Sequence, residues 1–283
     1  MDRSLGDLLS WAETKLTDAG IATAHLDALV LLEDCSGIDR AHILSSPEKT
    51  ISITKTQCLK RNVIARTRHL PLAYIRGKCE FYGREFMLNQ GVLQPRPESE
   101  ALIESLLRLP LGMGKNKTVI DVGTGSGALI VTAKLELPSI KAIAVDIDSK
   151  CLKTAQKNAT KYGLEIQFLR SNLLDKLVAM NLLDKNSLII ANLPYIPDNW
   201  SINRAASHEP RQAIFGGSDG LDLYRRLFGQ LRDLPTPPLY VLTEAMPPQH
   251  KALKLIASKS GFVQKERNDF AQLFMHLSSK KKS

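Results

Sequence analysis

The chain has 283 residues, of which 43% are hydrophobic and 24% are charged, as is usual for a soluble globular protein. No apolar run approaches the roughly 20 residues of a membrane-spanning helix. The first residues lack a signal-peptide core, so we expect a cytoplasmic protein. The net charge of +9 falls on residues 71–283, because residues 1–70 carry nine basic and nine acidic side chains. This charge fits an acidic or nucleic-acid partner, or an ordinary solvated surface.

The cysteines are scattered along the chain and include no closely spaced pair. They are Cys35, Cys58, Cys79 and Cys151. We interpret them as reduced thiols of a cytosolic protein rather than as a disulfide or zinc set, and we predict no metal site.

Residues 1–70 are predicted to form a small all-α domain that recognises a partner. Apolar residues recur there at helical spacing, which indicates three or more short amphipathic helices. Ser4, Thr23 and Thr54 stand where three of these helices are predicted to begin, and the second is predicted to end before Gly37.

Residues 71–93 are predicted to form a β-hairpin linker, because polar and apolar residues alternate around a glycine from Lys78 to Met87. Pro97 suits the first turn of a helix that continues to Leu107. Glu98 and Glu100 are favoured near the N-terminus of that helix by its dipole.

Residues 94–283 are predicted to form an α/β domain in which strands and helices alternate. Such alternation is typical of a doubly wound sheet with helices on both faces. Strands are predicted at 118–122, 141–145, 165–169, 187–191, 239–243, 262–267 and 270–277. Helices are predicted at 126–136, 149–162, 219–233 and 247–259, with Gly163 ending the second of these.

A glycine-rich turn follows the first strand of this domain. Its glycines, Gly123, Gly125 and Gly127, occupy alternate positions directly before a predicted helix. Glycine is needed where a turn is tight and a ligand lies against bare backbone. The pattern therefore predicts a nucleotide site, for a dinucleotide or for S-adenosylmethionine.

Asp121 favours S-adenosylmethionine over NAD as that nucleotide. A carboxylate at the strand end, ahead of the glycines, repels a pyrophosphate but suits the ammonium group of a methionine moiety. Asp146 ends the next strand and is predicted to accept hydrogen bonds from ribose hydroxyls, which both nucleotides possess.

The run Asn192-Leu193-Pro194-Tyr195 follows the apolar strand at 187–191. Ligands bind at the carboxyl ends of strands in open α/β sheets. We expect the Asn192 side-chain oxygen and the Leu193 carbonyl to accept both hydrogens of one planar NH₂ group, on which Tyr195 stacks. That arrangement suits methyl transfer to an amide or to an exocyclic amine.

With further motifs added, the chain resembles the bacterial protein-(glutamine-N5) methyltransferases that modify peptide chain release factors. These motifs extend the resemblance over roughly residues 1–260. They are Pro71-Leu72-Ala73-Tyr74-Ile75-x-Gly77, Glu80-Phe81-Tyr82-Gly83, Leu93-x-Pro95-Arg96-Pro97-Glu98-x-Glu100, Glu209-Pro210 and the segment Gly216 to Arg225.

The resemblance implies a seven-stranded, Rossmann-like methyltransferase domain with an antiparallel last strand, preceded by a helical domain that helps to bind the release factor. It implies S-adenosyl-L-methionine as cofactor and a substrate glutamine in a Gly-Gly-Gln loop. We expect a monomer that needs no membrane, and a nucleic-acid partner is neither required nor excluded.

The expected site residues follow from the motifs and from the resemblance together. The cofactor is expected to contact Asp121, Gly123, Thr124, Gly125, Ser126, Gly127, Asp146, Asn172, Leu173 and Asn192. The substrate is expected to contact Asn192, Leu193, Pro194, Tyr195 and Glu209, with catalysis assigned to Asn192, Pro194 and Tyr195. Glu209 either lines the substrate channel or pairs with Arg211.

The chain departs from the family pattern in three places. Leu193 replaces the usual proline, although its carbonyl survives the change. Asn172 stands where an acidic residue is usual and is expected to accept a hydrogen bond from the adenine amine. From Asp269 onward the usual glycine and arginine ending is missing.

Two rival functions remain open on the sequence. A nucleic-acid N6-adenine methyltransferase would explain the positive charge, and Asn-Leu-Pro-Tyr is also similar to the motif of ribosomal-RNA adenine dimethyltransferases. The second rival is a non-enzymatic interaction module that keeps a vestigial cofactor-binding fold. The intact glycines, Asp146 and Asn192 argue against this rival.

Overall fold

The computed structural model describes residues 3–109 and 117–277. The chain divides into two compact units, Met1–Lys78 with Ile202–His208, and Cys79–Ser201 with Glu209–Ser283. The domain boundaries predicted after residues 70 and 93 stay predictions. Across the described ranges, each helix is too short or too polar to span a bilayer.

The first unit is mainly helical. Its helices are α1 (Leu5–Asp18), α2 (Ala24–Ser36), α3 (Arg40–Ser45), α4 (Ile53–Thr67) and α5 (Leu72–Arg76), and its strands are β1 (Arg3–Ser4) and β2 (Thr50–Ile51). The two strands pair antiparallel. The three longest helices pack around a core that includes the fully buried Leu8, Leu31 and Leu59.

The predicted helix starts are right for two helices and wrong for the third. The Ser4 hydroxyl accepts a hydrogen bond from the Asp7 backbone N–H at 3.1 Å and caps α1, as predicted. Helix α2 begins after Thr23, as predicted, but the Thr23 side chain makes no capping hydrogen bond. The helix ends at Gly37, whose φ of 67° suits glycine. Helix α4 begins before Thr54, because Ser52 supplies its cap instead.

Two of the cysteines form a disulfide in the first unit. Cys35 of α2 and Cys58 of α4 are bonded, with their Cα atoms 5.8 Å apart. The expectation of reduced thiols is therefore wrong for this pair, while Cys79 and Cys151 are free. Packing of α2 on α4 brings these residues together, which their separation of 23 positions does not reveal.

The second unit begins with the predicted hairpin. Strands β3 (Lys78–Phe81) and β4 (Arg84–Met87) form a two-stranded sheet. Tyr82 and Gly83 both have positive φ at the turn, as a tight hairpin requires. The helix predicted from Pro97 opens as a 3₁₀ turn over Pro97–Ser99 and continues as α6 (Glu100–Arg108).

A seven-stranded sheet forms the centre of the second unit. Its strands are β5 (Thr118–Val122), β6 (Lys141–Asp146), β7 (Gln167–Arg170), β8 (Ser187–Ala191), β9 (Tyr240–Glu244), β10 (Phe262–Asn268) and β11 (Ala271–His276). They are ordered β10-β11-β9-β8-β5-β6-β7. The pairs from β9 to β7 are parallel, and β11 is antiparallel to both of its neighbours. The predicted fold class is confirmed.

Helices surround this sheet and bury its branched side chains. They are α6 with α7 (Ala128–Glu136), α8 (Ser149–Lys161), α9 (Asp175–Ala179), α10 (Arg211–Ile214), α11 (Asp222–Arg232) and α12 (His250–Ser258), with a 3₁₀ turn at Pro247–Gln249. The 3₁₀ turn at Ala206–His208 belongs to the first unit. Gly163 follows α8 with a φ of 65°, as predicted. Because five strands run in parallel, Asp121, Asp146, Asn192 and Glu244 all lie near one edge of the sheet.

Candidate active site

A cavity of about 280 Å³ opens at the carboxyl ends of the parallel strands. The glycine turn after β5, the loops after β6, β7 and β8, and the segment after Glu209 form its walls. Predicted site residues on these walls are Gly123, Gly125, Asp146, Asn172, Leu173, Asn192, Leu193 and Pro194. The volume is near the lower end of the roughly 300–1,000 Å³ typical of small-molecule sites.

The glycine turn has two distinct functions. Gly123 and Gly125 face the cavity, and Gly123 has a φ of 79°. Gly127 also has positive φ, but a Cβ there would lie 2.8 Å from the Ala155 Cβ. Gly127 therefore allows α7 to approach α8, and neither it nor Thr124 is part of the cavity wall. Their predicted cofactor contacts stay predictions, as does that of Ser126.

Asp121 lies beneath the turn and is fully buried. Its Oδ2 accepts a hydrogen bond from the Thr124 hydroxyl at 2.7 Å, and its Oδ1 has no hydrogen-bond partner among the described residues. Burial raises the pKa of Asp121 to about 7. The Thr124 hydrogen bond and the backbone of Ile130 oppose that rise, and the charge of Asp146 adds to it. The carboxyl is thus held close to its ionisation point at neutral pH.

Asp146 ends β6 on the cavity wall. Its two oxygens accept backbone hydrogen bonds, from Gly125 N–H and Asp148 N–H, both at 2.9 Å. These bonds fix the carboxyl while leaving lone pairs for a ligand, because each oxygen accepts more than one hydrogen bond. Burial raises the pKa of Asp146, and the two backbone donors oppose the rise.

Asn172 and Leu173 follow β7, at the end of the cavity nearest that strand. Leu173 has a φ of 50° and is buried. The Asn172 Oδ1 accepts a hydrogen bond from Arg226 Nη2 at 3.0 Å. Arg226 lies on α11 and also lines the cavity. The Asn172 oxygen, which is expected to accept a hydrogen bond from the adenine amine, thus already accepts one hydrogen bond from Arg226.

Asn192 is oriented by a residue that is distant in the sequence. Its Nδ2 donates a hydrogen bond to Ser99 Oγ at 2.8 Å, and Ser99 is buried in the turn that leads into α6. Because the amide nitrogen faces Ser99, the amide oxygen lies on the opposite side. Asn192 lines the cavity, as do Leu193 and Pro194.

Tyr195 is not part of the cavity wall, and its predicted substrate contact stays a prediction. Its hydroxyl donates to Glu244 Oε1 at 3.0 Å, and Glu244 is 1% exposed. Burial raises the pKa of Glu244, while the nearby polar side chains of Ser99, Tyr195 and Asn192 lower it. Ser99 therefore orients Asn192 at one end of the Asn192–Tyr195 run, and Glu244 orients Tyr195 at the other end.

The backbone of this run is held by side chains from α11 and from the 3₁₀ turn before α12. The Tyr224 hydroxyl contacts the Leu193 N–H at 3.2 Å and the Ala191 carbonyl at 3.1 Å. The Gln249 side-chain nitrogen donates to the Tyr195 carbonyl at 2.7 Å. Both Tyr224 and Gln249 are buried, so they act as fixed supports.

Two glycines pack directly against the same run. A Cβ on Gly216 would overlap the Pro194 carbonyl oxygen, and a Cβ on Gly220 would overlap the Tyr195 carbonyl oxygen. Gly220 also has a φ of 79°. The glycine-rich motif at 216–220 is therefore a support for the candidate site.

Glu209 is buried outside the cavity wall. Its carboxylate forms an ion pair with Arg96, and its Oε1 accepts from the Gln94 N–H at 3.4 Å. Arg211 instead lies 3.9 Å from Asp198, so the alternative pairing of Glu209 with Arg211 is not formed. Burial raises the pKa of Glu209, and Arg96 opposes the rise. A substrate contact of Glu209 stays a prediction.

The cavity residues fit S-adenosylmethionine. Bare backbone at Gly123 and Gly125 gives room for a ligand. Asp121 is fully buried and is not part of the cavity wall, so its predicted cofactor contact stays a prediction. Asp146 is placed for ribose hydroxyls, and Asn172 with Arg226 offers polar groups to a base. Within the described ranges, no cluster of His, Cys, Asp and Glu side chains could hold a metal ion.

Comparisons with known proteins agree with this geometry. The PrmC N-terminal domain matches residues 7–77, and the ribosomal protein L11 methyltransferase family (PrmA) matches residues 102–194. The release factor glutamine methyltransferase of Bacillus subtilis (strain 168) is 36% identical over 239 residues, which cover 82% of this chain and 81% of that protein. The chain belongs to the release factor glutamine methyltransferase family.

Further relatives support the same family. The release factor glutamine methyltransferase of Koribacter versatilis is 34% identical over 219 residues, covering 76% of this chain and 77% of that protein. A crystal structure of the hMettl16 catalytic domain in complex with MAT2A 3′UTR hairpin 6 shares the fold. It has a TM-score of 0.54, is 15% identical, and covers 77% of this chain and 83% of that one.

Family membership confirms the prediction of an S-adenosylmethionine-dependent methyltransferase. The sequence reasoning missed Ser99, Arg226 and Glu244. Glu244 carried a usable signal, because an acidic residue that ends an apolar strand is the same pattern that singled out Asp121 and Asp146.

Proposed function

We propose that this chain methylates the side-chain amide nitrogen (N5) of a glutamine in a peptide chain release factor. The proposal rests on the family and on one observation, the hydrogen bond from Asn192 Nδ2 to the buried Ser99. That bond leaves the Asn192 oxygen free to accept from a substrate NH₂ group.

We propose that the nearby Glu244 carboxyl, when ionised, sets the direction of the Ser99 hydroxyl. In its ionised form a carboxylate only accepts hydrogen bonds. It therefore favours a Ser99 hydroxyl that directs its proton toward Glu244 and accepts from Asn192 with its lone pair. The amide of Asn192 is then held in one orientation, with its oxygen away from Ser99.

The amide nitrogen of glutamine is a weak nucleophile because its lone pair is delocalised into the carbonyl. We propose that Asn192 Oδ1 and the Leu193 carbonyl accept its two N–H groups and direct the lone pair into the cavity. When bound, S-adenosylmethionine supplies an electrophilic methyl group on sulfur. The chain contributes positioning and preorganised acceptors.

Tyr195 is proposed to support the substrate amide plane with its ring while its hydroxyl stays anchored on Glu244. Pro194 limits the backbone freedom between the two acceptors. We propose that the substrate nitrogen releases one proton to solvent, because this nitrogen becomes acidic only as it gains the methyl group. No side chain is needed as a general base.

The helical first unit is proposed to contribute to release-factor binding, and the protein is proposed to act in the cytoplasm. The rival target, an adenine amine in nucleic acid, also presents a planar NH₂ group. The family assignment favours the glutamine.

Parallel incubations with labelled S-adenosylmethionine test this choice. One contains a peptide chain release factor, and the other contains ribosomal RNA. We expect label only in the release factor. Label in the RNA alone would support the rival function, and label in neither would overturn the proposal.

A further inference from the structure

Arg226 makes a contact that the proposed chemistry does not use. It lies on α11, and its Nη2 reaches the Asn172 Oδ1 at 3.0 Å across the cavity end nearest β7. Arg226 is exposed, and within the described part of the chain its guanidinium contacts the Asn172 oxygen rather than a carboxylate. Its guanidinium is thus available to act on Asn172.

This contact identifies the two ends of the Asn172 amide. The oxygen and nitrogen of an asparagine amide are otherwise hard to tell apart. A guanidinium group only donates hydrogen bonds, so the amide atom that it contacts must be the oxygen. The Nδ2 group then points to the other side, and it makes no hydrogen bond within the ranges that the structure describes.

The orientation matters because an asparagine amide can pair with adenine by two bonds, one donated and one accepted. An amide oxygen has two lone pairs, so Asn172 Oδ1 can accept from a base amine while it holds Arg226. The Nδ2 group can at the same time donate to a ring nitrogen beside that amine.

We infer that Arg226 is a specificity-determining positioning residue that locks the Asn172 amide so that it reads the adenine base of the cofactor. Asn172 Nδ2 donates to adenine N1, and Oδ1 accepts from the N6 amine. This inference rests on the proposed cofactor site and adds a function for a residue outside the glycine turn.

The locked orientation discriminates against a base with the opposite pattern. In hypoxanthine an oxygen replaces the N6 amine and N1 carries a hydrogen. The Asn172 amide would have to turn over to pair with it, and that turn would direct the NH₂ group at Arg226. Two donors would then face each other, so the wild-type site should reject hypoxanthine.

Isothermal titration calorimetry tests this without any methyl transfer. The two ligands are S-adenosylhomocysteine and its deaminated form, S-inosylhomocysteine. For the wild type we expect a Kd ratio of roughly ten-fold or more in favour of the adenine ligand, the scale of mispaired hydrogen bonds.

Arg226→Met should reduce that ratio to about three-fold or less, because the amide can then turn over freely. Asn172→Ala should bring the two ligands to within about two-fold, since both contacts are lost. Arg232→Met is the matched control. It removes an arginine from the same helix, where the side chain pairs with Asp233, and should keep the wild-type ratio.

The outcomes separate this inference from the proposed function. An unchanged ratio in Arg226→Met, with tight binding of S-adenosylhomocysteine, would overturn the role of Arg226 and leave the methyltransferase proposal intact. Failure of the wild type to bind S-adenosylhomocysteine would overturn the cofactor site itself, and this inference with it.

Discussion

The two ends of the cavity are built differently. At the Asn192 end, the buried Ser99 and Glu244 contact polar side chains of the Asn192–Tyr195 run, and the buried Tyr224 contacts its backbone. At the Asn172 end, one exposed arginine makes the orienting contact. The end that must place a reacting nitrogen is thus supported by many buried contacts, whereas the end that only selects a base depends on a single surface side chain.

This difference has an energetic basis. An unpaired polar group costs much more in a buried site than at the surface, so a buried network restricts its members to one arrangement. A single surface contact restricts its partner less strongly than a buried network does. Changes at the Asn192 end should therefore affect turnover strongly, and changes at the Asn172 end should mainly affect ligand preference.

The largest effect is expected from Asn192→Ala. Loss of one preorganised acceptor should lower turnover on the release factor by at least about a hundred-fold. Single-turnover methyl transfer measures it. Asn199→Ala, which removes an exposed asparagine outside the cavity wall, is the matched control and should behave as the wild type. Turnover near the wild-type value in Asn192→Ala would remove Asn192 from the chemistry.

Gly220→Ala should rank second. The added Cβ would displace the Tyr195 carbonyl, and the φ of 79° is unfavourable for alanine, so we expect turnover to fall by roughly ten- to a hundred-fold. Gly229→Ala is the control, because this glycine lies within α11 with open space around it. It should keep full turnover and stabilise the helix by up to about 1 kcal/mol. Equal activity of the two variants would contradict the supporting role of the 216–220 motif.

Ser99→Ala should have a smaller effect. Asn192 would lose the group that fixes its amide, and we expect kcat to fall about ten-fold with little change in S-adenosylhomocysteine affinity. Ser105→Ala provides the comparison. Ser105 is equally buried on α6, but its hydroxyl contacts Arg108 and Glu266. A parallel loss of cofactor affinity in Ser99→Ala would point to general damage instead of a positioning role.

Asp121, which is fully buried outside the cavity wall, should affect stability more than ligand preference. Its folded pKa of about 7 exceeds the ordinary value of 3.8. The folded state therefore binds more protons than the unfolded state between these pH values, and this group lowers stability as pH rises from about 4 to 7. We expect Asp121→Asn to gain between about 1 and 4 kcal/mol at pH 8 relative to the wild type.

Urea unfolding of the two proteins at pH 5 and pH 8 measures this difference. The gain from Asp121→Asn should be larger at pH 8, because the wild-type carboxylate is then ionised in its buried position. An equal gain at both pH values would show that Asp121 does not titrate in this range.

Much of the fold was predictable because hydrophobic patterning is local. Strands β5 and β8 occur at the predicted residues, and the antiparallel last strand follows the family expectation. One error arose where two nearby residues could both cap the same helix. Ser52 caps α4 although Thr54 fits the pattern, because a cap is decided by backbone geometry over a few positions.

The candidate site was predictable only in part. Asn192 and Asp146 could be found because each ends an apolar strand. Ser99 and Arg226 could not, since each acts through a partner more than 50 positions away in the chain. The pairing of Glu209 with Arg96 was missed for the same reason, although both belong to motifs noted in the sequence.

A crystal structure of the protein with S-adenosylhomocysteine and a Gly-Gly-Gln peptide tests the central claim most directly. We predict that the glutamine amide nitrogen lies about 2.8–3.1 Å from both Asn192 Oδ1 and the Leu193 carbonyl oxygen. An Asn192 oxygen turned toward Ser99, or a glutamine amide bound elsewhere in the cavity, would contradict the account.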